Sequence, residues 1–168
     1  MGRDNALIEM EGRALAVLAA DALVAAGATE VLTIGGDGPG IEALGLANRS
    51  DRWPGEGPLG GIVTALSEAS QAVVVVVACD LVRPAATALK AVVSALDASG
   101  TAVAAIPVVA GRRQYLHAAW RVTACAPLEA AFRVGERSVQ RGVAGLEVIE
   151  VEGLPAHLLA DADSPVDL

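Results

Sequence analysis

Aromatic residues are nearly absent from this sequence. Its 168 residues include two tryptophans, one tyrosine and one phenylalanine, although 54% of the chain is hydrophobic. The core must therefore be built from alanine, valine and leucine. Cysteine is scarce too: Cys79 and Cys125 stand alone. They supply neither a disulfide framework nor metal-ligand spacing, which favours a reducing, cytoplasmic setting. No apolar run reaches the roughly 20 residues of a membrane-spanning helix, so no membrane partner is expected. Positive charge is in deficit, with a formal net charge of −8. That balance argues against nucleic acid as a partner. A nucleotide stays open, because a few backbone N–H groups, one cation or a metal can hold its phosphates locally. The length suits a single domain over residues 1–168.

Against these absences stands one stretch, Val73 to Val77 followed by Ala78-Cys79-Asp80. Five β-branched residues without a polar break favour a buried strand over a helix. Such a strand is expected in the middle of a sheet covered on both faces, usually a parallel one. A carboxylate, Asp80, then appears at its C-terminal end. In open α/β sheets ligands bind beyond the carboxyl ends of the strands.

The rest of the chain alternates helical and extended patterns. A helix is expected from Arg13, with Leu15, Leu18, Ala19, Ala22 and Leu23 on one face and Gly27 closing it. Glu30–Ile34 reads as a strand running into glycines. Ile41–Leu44 is at most a short helix, and Asn48–Gly57 reads as a loop. Helices are expected over Ile62–Ala69, Ala85–Leu96 and Ala126–Phe132, with a short one from Ser138. Strands are expected over Thr101–Val109, Gln114–Trp120 and Leu146–Val151, the second antiparallel to the first. A helical turn is expected over Pro155–Leu159. The pattern predicts a three-layer, doubly wound α/β fold with a mostly parallel sheet and an antiparallel edge.

Several residues carry both a chemical and an architectural reading. The glycines from Gly55 to Gly61 lead into a helix, where N–H groups can approach an anion or where positive φ is needed. Asp80 can hold Mg²⁺ against substrate phosphates, or cap a turn before Pro84. Asp161 and Asp163 form either a polar pair at a site or a solvated cap before Ser164-Pro165. Arg3, Asp4 and Asn5 belong to a phosphate site or to an ordinary terminus. Cys79 and His117 read as core residues first. Nothing matches a nucleophile elbow, a Walker lysine motif or a G-x-G-x-x-G turn after a strand.

Taken in order, these pieces resemble the molybdenum cofactor guanylyltransferase family of the nucleotidyltransferase superfamily. The stretch from Met1 to Ile8 resembles that family's R-M-G-x-D-K-A-L-L segment. Gly12-Arg13 followed by Leu15 resembles its G-x-P-L turn. Asp51 and the run from Gly57 to Ile62 resemble its D-x(n)-G-P-L-A-G-I segment. Cys79-Asp80 matches its C-D strand end, although Leu81-Val82 replaces the usual continuation. Gln114–Ala118 resembles Q-P-L-H-A, and Asp161–Leu168 resembles N-x-N-T-P-E-D-L.

The resemblance implies transfer of GMP from GTP to molybdopterin with Mg²⁺ as cofactor. It implies GTP and the molybdopterin cofactor as partners, with other molybdenum cofactor proteins beside them. In that reading Asp80 is the catalytic metal ligand and also contacts the nucleotide. Asp51 reads guanine, while Asn5, Gly57, Pro58, Leu59 and Gly60 line the nucleotide pocket. Asp163 approaches the metal. Three departures stand out. The family's opening strand and L-A-G-G loop have no counterpart, so a longer native chain is expected. Asn5 replaces the family lysine, and Ile34-Gly35-Gly36 stands where the family has an asparagine. The alternatives are another nucleotidyltransferase of this fold, such as a cytidylyltransferase, or a non-catalytic nucleotide-binding relative.

Overall fold

The computed structural model describes residues 4–79 and 84–159. A 3-10 turn at Asn5–Leu7 leads to two short antiparallel strands, β1 (Glu9–Met10) and β2 (Arg13–Ala14). Helix α1 (Leu15–Ala26) buries Leu15, Ala16, Ala19, Ala20 and Ala22, and Gly27 ends it with a φ of 109°. Then come β3 (Leu32–Ile34), α2 (Gly38–Ala43) and β4 (Ala47–Arg49), with β3 and β4 paired in parallel. Helix α3 (Pro58–Glu68) precedes β5 (Val73–Val77), and α4 (Ala86–Ala98) precedes β6 (Ala104–Val109). Strands β7 (Arg112–Arg113) and β8 (His117–Arg121) follow, then a 3-10 turn at Val122–Ala124. The chain closes through α5 (Cys125–Arg133), α6 (Val139–Gly142), β9 (Val148–Val151) and a 3-10 turn at Ala156–Leu159.

The central sheet runs in the order β5-β8-β6, with β7 and β9 also on β6. Strand β8 is antiparallel to both neighbours, so β5 and β6 point the same way, and β9 joins β6 in parallel. Strand alternation sorts the side chains into two apolar layers. On one face Val74, Val76, Ala104, Ile106, Ala118 and Trp120 meet α3, α5 and α6. On the other Val73, Val75, Ala105, Ala119 and Ile149 meet Val92 and Leu96 of α4. The result is the expected three-layer α/β fold. The sheet alanines are wholly buried, and enlarging one overpacks the layer at a cost of about 1–3 kcal/mol. Among the described residues no helix is long and apolar enough to cross a membrane.

The valine strand departs from expectation. It is not in the middle of a continuous sheet: β5 pairs antiparallel with β8, and its other edge faces a gap before β3. All five valines are consequently only partly buried. Asn48–Gly57 is not all loop, because Ala47–Arg49 forms β4. No β-branched residue signals that strand; the Asn48 side chain fastens it instead, donating to Thr33 Oγ1 at 3.0 Å and to the Gly35 carbonyl at 2.8 Å. Helix α3 begins four residues before Ile62, since Pro58 suits a first helical turn. Helix α1 begins at Leu15, after Arg13 has been taken into β2. Strand β8 begins at His117, because Gln114 to His117 make a turn.

Candidate functional site

Three backbone termini converge on one crevice. Strand β3 runs into Gly35-Gly36-Asp37, β5 runs into Ala78-Cys79, and α3 starts at Gly57-Pro58. Asp4, Gly35, Gly36, Pro58 and Cys79 all line the mouth of a cavity of about 790 Å³ that continues between β3 and β5. Pro58 also borders a second cavity of about 280 Å³, lined by Ala78, Gln114, Tyr115, Leu116 and His117. Both cavities therefore meet at the carboxyl end of β5, where an open α/β sheet places its ligands.

The Gly-Gly turn is built for close approach. Gly35 and Gly36 have φ of 73° and 72°. A Cβ on Gly36 would sit 2.5 Å from Asp4 Oδ2. The Asp4 carboxylate accepts the N–H of Asp37 at 2.6 Å and that of Ala6 at 3.0 Å. This latch ties the 3-10 turn to the end of β3. Asn5 follows on that turn and is exposed.

Asp51 stands next to the same turn, its Cβ 3.3 Å from where a Gly35 Cβ would lie. Its Oδ1 accepts the Trp53 N–H at 3.1 Å and the hydroxyl of Thr64 at 2.9 Å. One carboxylate oxygen is thus engaged in shaping the loop. Thr64 is wholly buried on α3, and its hydroxyl also lies 3.0 Å from the Gly60 carbonyl and accepts Arg52 N–H. Gly57 is the N-cap, with φ 94°. The Leu59 side chain is completely buried in the core, so only its backbone can face a ligand. Gly60 is small for packing: a Cβ would lie 3.2 Å from Phe132 Cε2 and 3.4 Å from Trp53 Cβ.

A basic-aromatic stack braces the glycine loop from behind. Arg137 lies 3.9 Å above the Phe132 ring, Phe132 packs on Trp53 at 4.7 Å, and Arg137 Nε donates to Glu56 at 2.7 Å. Next to Arg137, Glu136 accepts from Arg141 and from the N–H groups of Ser138 and Arg137. The Arg141 hydrogen bond, aided by those amides, holds its carboxyl down to about 2. Burial pushes the Cys125 thiol up, as a core cysteine requires, whereas Cys79 is exposed at the mouth.

The structure thus sets Pro58 in the lining of the crevice, Gly57 just before it as the N-cap of α3, and Asp51 beside Gly35. It commits Leu59 and Gly60 mainly to packing and leaves Asn5 at the surface. Asp80 and Asp163, with Arg3 and Asp161, lie outside the described residues. Among the described residues no group of three His, Cys, Asp or Glu side chains could hold a metal ion. Sequence reasoning overlooked Thr64. The available signal was a threonine one helical turn after Gly60, on the same face of α3 as that glycine.

Strand ends, a glycine turn and a helix start on one crevice define an α/β nucleotide-site architecture. A family comparison matches the MobA-like NTP transferase domain over residues 1–148, and the chain belongs to that family. The search of curated proteins found no match. Among solved structures, molybdopterin-guanine dinucleotide biosynthesis protein A from Archaeoglobus fulgidus is similar with a TM-score of 0.77 and 20% identity. That match covers 97% of this chain and 86% of the other. The 2-C-methyl-D-erythritol 4-phosphate cytidylyltransferase from Thermus thermophilus gives 0.75 and 20%, over 97% and 89%. A Mycobacterium tuberculosis protein solved with manganese gives 0.65 and 14%, over 99% and 90%. At these identities the likeness speaks for the fold.

Proposed function

We propose that this protein is a cytoplasmic guanylyltransferase, moving GMP from GTP to the molybdopterin cofactor with release of pyrophosphate. Other molybdenum cofactor proteins are then its natural partners. The observation that carries the reading is the overlap of the family match with the crevice. Residues 1–148 contain Asp4, Gly35-Gly36, Asp51, Gly57-Pro58 and Asp80.

The residues divide the work. The start of α3 offers the backbone N–H groups of Gly57, Leu59 and Gly60, Pro58 having none, and the positive end of a helix to phosphate oxygens. Guanine presents an N1–H and an N2 amine, and the Asp51 oxygen not held by Thr64 accepts from them. Asn5 donates from a neutral amide where the family has a lysine, so it screens less phosphate charge. Asp80 and Asp163 would together hold Mg²⁺, since carboxylate oxygens suit a hard cation. Bound there, the ion would neutralise phosphate charge during attack at the α-phosphorus. The protein's own part is to position the two phosphates in line and exclude water.

A second reading is CMP transfer to another phosphorylated acceptor. It draws support from the cytidylyltransferase of Thermus thermophilus, as similar in fold as the molybdopterin protein. A turnover assay separates them. Pyrophosphate release from GTP and molybdopterin, but not from CTP, is expected. Release from CTP alone supports the second reading. Nucleotide binding without release from either leaves a binding protein.

A further inference from the structure

Thr64 is wholly buried in a stretch of α3 whose other large buried side chains, Leu59, Ile62, Val63 and Leu66, are apolar. A hydroxyl in such a place is destabilising unless it is hydrogen-bonded. Valine has nearly the same shape and no polar group to satisfy, so packing alone does not call for threonine here. The hydroxyl gathers three groups. It lies 2.9 Å from Asp51 Oδ1 and 3.0 Å from the Gly60 carbonyl, and it accepts the Arg52 N–H at 3.2 Å. A hydroxyl has one proton to give. Of two acceptors at nearly equal distance, the carboxylate carries the charge and makes the stronger bond.

The consequence falls on Asp51, which stands beside Gly35 of the crevice lining. Its Oδ1 receives both the Thr64 hydroxyl and the Trp53 N–H, the second at 3.1 Å. One donor comes from a buried helix and the other from the loop backbone, and together they fix the plane of the carboxylate. Its Oδ2 has no partner among the described residues. An ionised carboxylate only accepts. Guanine offers it two adjacent donors, N1–H and the N2 amine. Adenine and cytosine each set one amine beside a ring nitrogen that is itself an acceptor, and a fixed carboxylate oxygen repels that nitrogen. A carboxylate free to rotate could instead turn to the amine of any of the three bases.

We propose that Thr64 is the positioning residue that sets base selectivity, by holding Asp51 so that a single fixed oxygen is offered to the base. The inference rests on the reading that Asp51 accepts from guanine. Thr64 itself touches no substrate and acts only through Asp51.

The test is calorimetric binding of GTP, CTP and ATP to the parent, Thr64→Val and Thr64→Ser, each held below its unfolding transition. Thr64→Val is expected to weaken GTP binding by about tenfold, equivalent to ~1.4 kcal/mol, and to leave CTP and ATP binding unchanged. Thr64→Ser keeps the hydroxyl and should keep the preference for GTP. Thr64→Ala takes the place of Thr64→Val should the valine variant not fold. A residue that acts through Asp51 has nothing left to act on once that carboxylate is gone, so Thr64→Val should weaken GTP no further in an Asp51→Ala chain. Four results overturn the proposal. The preference for GTP survives Thr64→Val. All three nucleotides weaken equally, which assigns the hydroxyl to loop shape alone. Thr64→Ser behaves as Thr64→Val does. Or Thr64→Val still weakens GTP in the Asp51→Ala chain. A parent that does not prefer GTP overturns the guanine reading itself and this inference with it, and that failure shows before any variant is made.

Discussion

The backbone N–H of Asp37 donates to the carboxylate of Asp4 at 2.6 Å, across 33 residues of sequence. This one bond holds the turn that carries Asn5 against the Gly35-Gly36 end of β3, and so fixes one wall of the crevice. Gly36 makes the approach possible, because it has no side chain to stand between them.

Gly36→Ala should therefore be costly. Its Cβ would meet Asp4 Oδ2 at 2.5 Å and Ile41 Cδ1 at 3.2 Å, at a φ of +72°. The left-handed backbone alone costs an L-residue about 1–2 kcal/mol. Gly45→Ala is the control, with φ +80° and open space around it. Urea unfolding should place Gly36→Ala below Gly45→Ala in stability by at least about 1 kcal/mol, the usual cost of overpacking. Equal losses would mean that Asp4 moves aside freely.

Adjacent glycines in α3 should respond with opposite signs. A Cβ on Gly61 would have nothing within 4 Å, so Gly61→Ala should stabilise by about 0.5–1 kcal/mol through helix propensity. Gly60→Ala gains the same propensity but pushes on Phe132, which Trp53 and Arg137 hold from two sides. It should destabilise on balance. Thermal melts of the two variants decide the matter, and a stabilised Gly60→Ala would remove the packing role assigned to that glycine.

Much of this was legible in the sequence, for physical reasons that differ by element. The valine run declared β5, and helix-period alanines and leucines declared α1 and α4. The placement of β5 was not legible, because an uninterrupted apolar strand reads the same whether its neighbour is parallel or antiparallel. Strand β4 stayed hidden, since it depends on the distant Asn48–Thr33 and Asn48–Gly35 bonds and not on its own residue preferences. At the site, Gly57-Pro58 and Asp51 were legible as candidates in their motif. Asp51's bond to Thr64 was not, because it joins a loop to a helix 13 residues away. The packing demand on Gly60 was not legible either, because the neighbour that requires its smallness is the distant Phe132.

Thr64→Val tests how firmly the loop holds Asp51. Valine keeps the shape and removes the hydroxyl that reaches Asp51 Oδ1 at 2.9 Å and receives Arg52 N–H at 3.2 Å. Losing hydrogen bonds in a buried place costs about 1–3 kcal/mol. Unfolding should show that loss. A valine variant as stable as the parent would show that the Thr64 hydroxyl contributes nothing to the fold.

Acid sensitivity should have an identifiable contribution from Glu136. Its carboxyl is held at about 2 in the folded protein by Arg141 and two backbone amides, against about 4.3 for an unperturbed glutamate. A depressed folded pKa contributes stability that is complete above the unfolded value and disappears as pH falls through about 2. Glu136→Gln should thus lower the Tm at neutral pH. The difference from the parent should shrink below about pH 4.3 and vanish near 2. A constant difference across that window would assign the effect to lost shape alone.

The most direct test of the central claim is calorimetric titration of the protein with GTP, CTP and ATP in the presence of Mg²⁺, repeated on Asp80→Ala. GTP should bind most tightly, and its Mg²⁺-dependent binding should be lost in Asp80→Ala. Failure of all three nucleotides to bind, or GTP binding that is indifferent to both Mg²⁺ and Asp80, would contradict the account.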